Sequence, residues 1–242
     1  MSPAAPVSGW LDARQVAIVT ARNEADRISA TVAALSDALP GIHVIVADDG
    51  SSDDTSLVAM RAGAEVVARG RPHGKGGAAS AAALSVLEVA RRADPPTFLF
   101  CDGDLGSSAG ALATLVDAVE SDRCDLAVAA FSRRQGGGFG LAVGFARWAI
   151  RNLTGRETGA PISGQRAMTA TVLQETLPFA PGFGMEVGMT VDALRAGHEL
   201  CELELELEHR STGRTPGGFL HRGKQLRDFV RVYLSRKLRR SR

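Results

Sequence analysis

Phe98-Leu-Phe-Cys-Asp-Gly-Asp104 decides the reading of this chain. Four apolar residues run directly into two carboxylates one residue apart, as a buried strand does when it leaves a sheet. Two carboxylates on such a turn can supply oxygen ligands to Mg²⁺ or Mn²⁺, which keeps open positions for substrate phosphate oxygens. The bound cation would offset charge building up on a leaving diphosphate. Alone, Asp-Gly-Asp is also ordinary turn chemistry. The surrounding sequence must discriminate.

Upstream, Val16-Ala-Ile-Val-Thr20 enters Ala21-Arg-Asn-Glu24, and His43-Val-Ile-Val-Ala47 enters Asp48-Asp49-Gly50-Ser51-Ser52. Between them Ile28, Val32, Leu35 and Leu39 keep helical spacing until Pro40-Gly41. Asp53-Asp54-Thr55 caps a helix ending near Gly63, and Glu65–Ala68 is a third strand. Gly74-Lys75-Gly76-Gly77 opens an Ala-rich helix to about Ala90. After Asp104 come a helix over 109–119 and a strand over 126–130.

Strand and helix alternate throughout, which predicts an α/β fold with a mainly parallel sheet flanked by helices in a single domain. Ligands of such sheets sit beyond the strand carboxyl ends, so Asn23/Glu24, Asp48/Asp49 and Asp102/Asp104 should converge. The second half is less regular, with expected helices over 141–153, 187–195 and 226–238. A one-face-buried strand is expected over 200–209, where Leu203, Leu205 and Leu207 alternate with glutamates.

The ordered strand-end motifs resemble the nucleotide-sugar-binding half of family-2-type glycosyltransferases with the GT-A fold, over residues 14–131. Leu177-Pro-Phe-Ala-Pro-Gly-Phe-Gly-Met-Glu-Val-Gly188 and Glu208-His-Arg210 look like stretches of glucosyl-3-phosphoglycerate synthases. Polyprenyl-phosphate sugar transferases are a more distant likeness. The resemblance implies a metal-dependent transfer of a hexose from a UDP- or GDP-sugar to a hydroxyl or phosphate acceptor. The alternatives are a polyprenyl-phosphate transferase at the membrane surface and a nucleotide-sugar-binding protein without catalysis. A nucleotidyltransferase is disfavoured, because Ala21-Arg-Asn-Glu24 replaces the Gly-rich loop it needs.

By that resemblance Thr20, Arg22, Glu24 and Asp49 border the nucleoside, and Asp102, Gly103 and Asp104 hold the diphosphate and metal. His209 is implied as a third metal ligand, with Arg210 near the diphosphate. Carboxylates at these strand ends can accept hydrogen bonds from base N–H groups and ribose hydroxyls. Glu24 could equally cap the next helix, and Asp48-Asp49-Gly50 could be a turn. Lys75 between glycines can meet phosphate near a helix N-terminus, or be a solvated lysine on a flexible turn. Glu186 is implied beside sugar and acceptor, as general base if the reaction inverts and as a positioning group if it retains. It also suits a helix N-terminus. Arg133 and Arg134, with Gly136 to Gly138, read as a mobile loop able to close over the donor or grip an anionic acceptor, and Ser163 and Gly164 of the 158–166 segment are acceptor-side by the same resemblance. The arginine–threonine acceptor segment of the phosphoglycerate enzymes is not found here, and both chain ends are shorter. The acceptor therefore stays open.

The 242 residues are 45% hydrophobic and 23% charged, an ordinary globular balance. The net charge of +1 hides an asymmetry. Arg214 to Arg242 holds ten Lys/Arg against Asp228, leaving 18 basic against 26 acidic residues elsewhere. Such a basic amphipathic end fits peripheral contact with an anionic membrane, packing on its own domain, or a homodimer. Nucleic acid is not expected, since Phe229 and Tyr233 lie on the apolar stripe. Cys101, Cys124 and Cys201 show no paired spacing, so neither a disulfide nor zinc is expected, which fits a cytoplasmic protein. The organisation expected is a flexible 1–13, a donor half 14–131, an acceptor half 132–221 and a basic helix 222–242.

Overall fold

The computed structural model describes residues 13–68, 70–72, 74–131, 140–208 and 216–239. The expected flexible start, the loop with Arg133 and Arg134, and the pair His209 and Arg210 lie outside these residues. Among the described residues seven strands form one sheet: β1 Gln15–Ala21, β2 His43–Asp48, β3 Glu65–Ala68, β4 Thr97–Asp102, β5 Leu126–Phe131, β6 Arg166–Met168 and β7 Leu200–Leu205. Their order is β3-β2-β1-β4-β6-β5-β7. β1 pairs in parallel with β2 and β4, β2 with β3, and β5 with β7; β6 alone runs antiparallel, between β4 and β5.

The nine α-helices among the described residues are α1 Ile28–Ala38, α2 Thr55–Arg61, α3 Lys75–Ser85, α4 Leu87–Ala90, α5 Ala113–Glu120, α6 Gly140–Thr154, α7 Ala170–Thr176, α8 Met185–Ala196 and α9 Pro216–Arg239. Alternation along the central strands loads both faces. Ala17, Val19, Leu99 and Cys101 join α1 and α5 in one cluster, while Val16, Ile18, Phe98 and Phe100 join α3, α7 and α8 in another. A third cluster packs α6, α8 and α9 through Ile150, Val187, Val191, Phe229, Val232 and Tyr233. α8 therefore buries residues all round, which fixes Glu186 within its first turn.

The expected α/β architecture is the one observed, with local departures. The Ala-rich helix breaks at Val86 into α3 and α4. β6 and α7 were not expected: three residues are too few to show alternation, and β6 is recognisable only from its two neighbours. The strand expected over 200–209 ends at Leu205, and the last helix begins ten residues earlier than its apolar stripe.

One expectation is corrected. Cys124 and Cys201, 77 residues apart, are joined in a disulfide with a Cα–Cα distance of 5.8 Å; Cys101 is free and buried. Parallel pairing of β5 with β7, with Ala127 opposite Cys201, brings the two sulfurs together. Sequence spacing does not carry that information. The compartment expectation, which rested on unpaired thiols, loses that support. No helix among the described residues is long and apolar enough to cross a membrane.

Phe100, buried two residues before Asp102, meets Phe179 edge-on at a centroid distance of 5.3 Å. It ties β4 to the segment leading into α8. Phe100→Ala should cost about 3–5 kcal/mol, read as a lowered midpoint in equilibrium urea unfolding.

Candidate active site

The carboxyl ends of β1, β2 and β4 open into a cleft of about 800 Å³. Thr20, Arg22, Glu24, Asp49, Asp102, Gly103 and Asp104 line it from these strand ends, and Lys75 and Glu186 from the first turns of α3 and α8; Asn23 and Asp48, expected to converge there too, do not line it. Each is placed by a separate local device.

The Asp102-Gly103-Asp104 turn is pinned through its backbone. Gly103 N donates to Thr20 O at 2.9 Å, Thr31 Oγ1 of α1 donates to Gly103 O at 2.9 Å, and Arg27 Nη1 donates to Asp104 O at 3.1 Å. Spending backbone groups on these bonds leaves the two carboxylates to face the cleft. Thr20 Oγ1 donates to Asp102 Oδ1 at 3.1 Å, and Gln165 Nε2 donates to Asp102 Oδ2 at 2.9 Å.

Lys75 is the hub. Its Nζ lies 2.5 Å from Asp102 Oδ1 and 2.9 Å from Glu186 Oε1. Burial works to push the ammonium pKa down, but the two carboxylates outweigh it and the net direction is up. Lys75 is therefore held charged at any working pH. Gly74, at φ +80°, turns the chain into α3, and its N–H donates to Asp49 Oδ2 at 3.0 Å. Glu186 is only 5% exposed. Burial pushes the thiol of Cys101, next to Asp102, well up.

The open alternatives resolve residue by residue. Asp48 is a turn residue: its Oδ1 accepts from Ser51 N at 2.8 Å and Ser51 Oγ at 2.6 Å, and Ser56 Oγ donates to its Oδ2. Asp49 instead enters the cleft. Glu24 does not cap α1, whose N-cap is Arg27 without a side-chain bond; its backbone oxygen accepts from Ile28 N at 2.8 Å, and the residue lines the cleft. Gly164 lies behind the hub, where a β-carbon would collide with Lys75 Nζ and crowd Asp102. Ser163 is buried, its hydroxyl donating to Gln165 Oε1 at 3.2 Å. Both therefore support the Asp102 side of the cleft from behind.

Sequence reasoning missed Gln165 and the roles of Arg166 and α9. Arg166 is fully buried; its Nε donates to Ser163 O and its Nη1 to Thr190 Oγ1, each at 2.7 Å. Burial pushes its pKa down to about 10, opposed by the Glu186 and Glu202 carboxylates. Thr190 in turn donates to Glu186 O at 3.0 Å, so Arg166 joins the Gln165 loop to the helix carrying Glu186. Glu202 braces the other end of that loop, accepting from Gly159 N at 2.8 Å, Ala160 N at 2.9 Å and Thr158 Oγ1. The only local signal was an unusually polar Ser-Gly-Gln-Arg run before two apolar residues. From α9, Lys224, Arg227, Asp228 and Arg231 form the far wall. No spacing rule connects them to Asp102.

A second cavity, of about 880 Å³, lies beyond the Leu177–Pro181 segment. Its Arg236 is spent on Asp192, with Nη2 to Oδ2 at 2.6 Å. The cleft, not this cavity, gathers convergent charged groups.

Asp102 and Asp104 fit a hard divalent cation that takes its remaining ligands from water and phosphate. No cluster of three or more His, Cys, Asp or Glu suited to a metal occurs among the described residues, and His209 lies outside them.

Residues 16–164 match the family model described as glycosyl transferase family 2. A curated protein, the glucosyl-3-phosphoglycerate synthase of Mycolicibacterium paratuberculosis (strain ATCC BAA-968 / K-10), is 32% identical over 225 residues. That match covers 80% of this chain, which spans 65% of the relative's length. A crystal structure of glucosyl-3-phosphoglycerate synthase from Mycobacterium tuberculosis with Mn²⁺, uridine diphosphate and phosphoglyceric acid superposes with a TM-score of 0.73. It is 27% identical, over 95% of this chain and 80% of that one. The complex of that synthase with Mg²⁺ and uridine diphosphate gives a TM-score of 0.71 and 26% identity, over 95% and 81%.

Removing Lys75 leaves two facing carboxylates with no ammonium between them. Lys75→Met should cost about 2–4 kcal/mol, less than a fully buried pair because Asp102 keeps some solvent contact. Gly164→Ala should cost about 1–3 kcal/mol by overpacking. Urea unfolding at neutral pH reads both.

Proposed function

The chain belongs to glycosyl transferase family 2, and we propose that it moves a hexose from a nucleoside-diphosphate sugar to a hydroxyl or phosphate acceptor, with Mg²⁺ or Mn²⁺. The observation that carries this is the Lys75 ammonium held between Asp102, on the donor side, and Glu186. One cation there links a diphosphate-binding turn to a buried carboxylate placed to meet an acceptor. Uridine diphosphate in the related crystal structures supports a uridine donor for this chain.

In this reading Thr20, Arg22, Glu24 and Asp49 hold the nucleoside through hydrogen bonds to base and ribose. Asp102 and Asp104 would hold the cation, with His209 and Arg210 as proposed further contacts to metal and diphosphate. When bound, the cation would neutralise charge developing on the leaving diphosphate. Lys75 adds a second positive charge beside the same oxygens, and its position is set before the donor arrives, so little reorganisation is needed. Glu186 accepts a hydrogen bond from the acceptor hydroxyl. It removes that proton if the reaction inverts and orients the hydroxyl if it retains. Arg133 and Arg134 belong to the acceptor side in this proposal, whereas Ser163 and Gly164 back Asp102 from behind and Gly164 keeps room for Lys75.

Thermal shift and calorimetry test it directly. UDP should stabilise the chain with Mn²⁺ and much less with a chelator, and Asp104→Ala should abolish the metal-dependent part. With a turnover assay in hand, Glu186→Gln should lower kcat by roughly 10²–10⁴ while UDP affinity stays within a few-fold. Tight UDP binding without turnover on any hydroxyl or phosphate acceptor would favour the non-catalytic alternative.

A further inference from the structure

We propose that the outer face of α9, continued by the adjoining edge of α6, is a docking surface for an anionic lipid bilayer. By its spacing α9 carries one broad apolar stripe, and the structure divides it. Phe229, Val232 and Tyr233 turn inward onto α6 and α8. Leu226, Leu234 and Leu238 remain outside, Leu234 at 51% and Leu238 at 71% exposure. Those last two are one turn apart and share a face.

Trp148 of α6, half exposed, extends this surface. Its ring centroid lies 4.9 Å from Tyr233 and 5.5 Å from Phe145. Leu141, Phe145 and Trp148 recur at helical spacing on one side of α6, and Leu141 is strongly exposed. On α9, Lys237 Nζ stands 5.6 Å from the Tyr233 ring centroid. Leucines, a tryptophan and a lysine thus occupy neighbouring turns of two packed helices.

Charge selects the occupant. Lys224, Arg227, Arg231 and Lys237 are exposed along α9. The acid of that helix, Asp228, turns its Oδ2 inward, accepting from Phe183 N at 3.3 Å, while its Oδ1 pairs with Arg227 Nη2 at 3.1 Å, so Lys224, Arg231 and Lys237 carry the charge of the face. The face is therefore a cationic strip on a body in which acids outnumber bases 26 to 18. Lipid phosphates supply the opposite charge, and the exposed leucines and indole reach the headgroup–acyl boundary while the long cations snorkel to phosphate. A second copy of the chain fits poorly: two-fold pairing of this face sets its arginines and lysines against themselves.

Lys224, Arg227 and Arg231 also wall the cleft, so docking holds the cleft mouth beside the headgroups. The surface stands on α6 and α9 alone. Only the further step, that the acceptor is one presented at the bilayer, rests on the function proposed above.

The test is co-sedimentation of the full chain with phosphatidylcholine vesicles and with vesicles in which one third of the lipid is phosphatidylglycerol. The chain should pellet with the anionic vesicles, stay in solution with the neutral ones, and dissociate as salt rises. Leu234→Ser with Leu238→Ser should lower partitioning roughly tenfold or more, with thermal unfolding and UDP–Mn²⁺ binding unchanged. Failure to pellet at low salt would overturn the proposal. Pelleting indifferent to the double substitution would do so too, since it means adsorption without insertion. So would a dimer in light scattering that the double substitution splits, which assigns the face to a second copy. Pelleting without any UDP binding would sink the cleft reading and leave the surface intact.

Discussion

Three charged groups depend on one another at the centre of this molecule. Lys75 sits between Asp102 and Glu186; Glu186 is buried and the other two are half-buried, and an unpaired charge in such a site is costly. Together they satisfy one another and fix the distance between the turn after β4 and the first turn of α8. The surroundings work to keep that distance. Gly164 leaves room for the ammonium, Gln165 holds the second oxygen of Asp102, and Arg166 ties the Gln165 loop to Thr190 on α8.

The sheet makes this possible by bringing distant segments to one edge. Thr20 lies opposite Asp102 in the β1–β4 register, and Ala21 opposite Asp48 in β1–β2. A slip of one residue would turn each of these side chains to the other face. The alternation that buries Ala17, Val19, Leu99 and Cys101 on one face and Val16, Ile18, Phe98 and Phe100 on the other forbids that slip. Packing of the core is thus what aims the polar groups.

The second half of the chain contributes walls rather than floor. β6 runs against the parallel strands and ends the loop that backs Lys75, while α8 supplies Glu186 from a helix buried on every side. α9 closes the cleft and keeps a cationic, leucine-bearing face outward.

The sequence by itself determined the parallel sheet, the strand-end positions of Thr20, Glu24, Asp49, Asp102 and Asp104, and the family they indicate. Those features are local: periodicity of two or 3.6 and a polar turn after an apolar run can be read within ten residues. Tertiary structure alone decided that Lys75 pairs with Asp102 and Glu186, that Cys124 bonds Cys201, and that Asp48 organises a turn while Asp49 faces the cleft. It also decided that Arg166 and α9 belong to the site, and that the stripe of α9 is split between domain and solvent. Apart from the Asp48 turn, whose bonds to Ser51 and Ser56 are local, these are pairings across tens to more than a hundred residues, and a one-dimensional pattern does not specify which distant groups a fold brings together. Sequence periodicity says which side of an element is apolar; only packing says what that side meets.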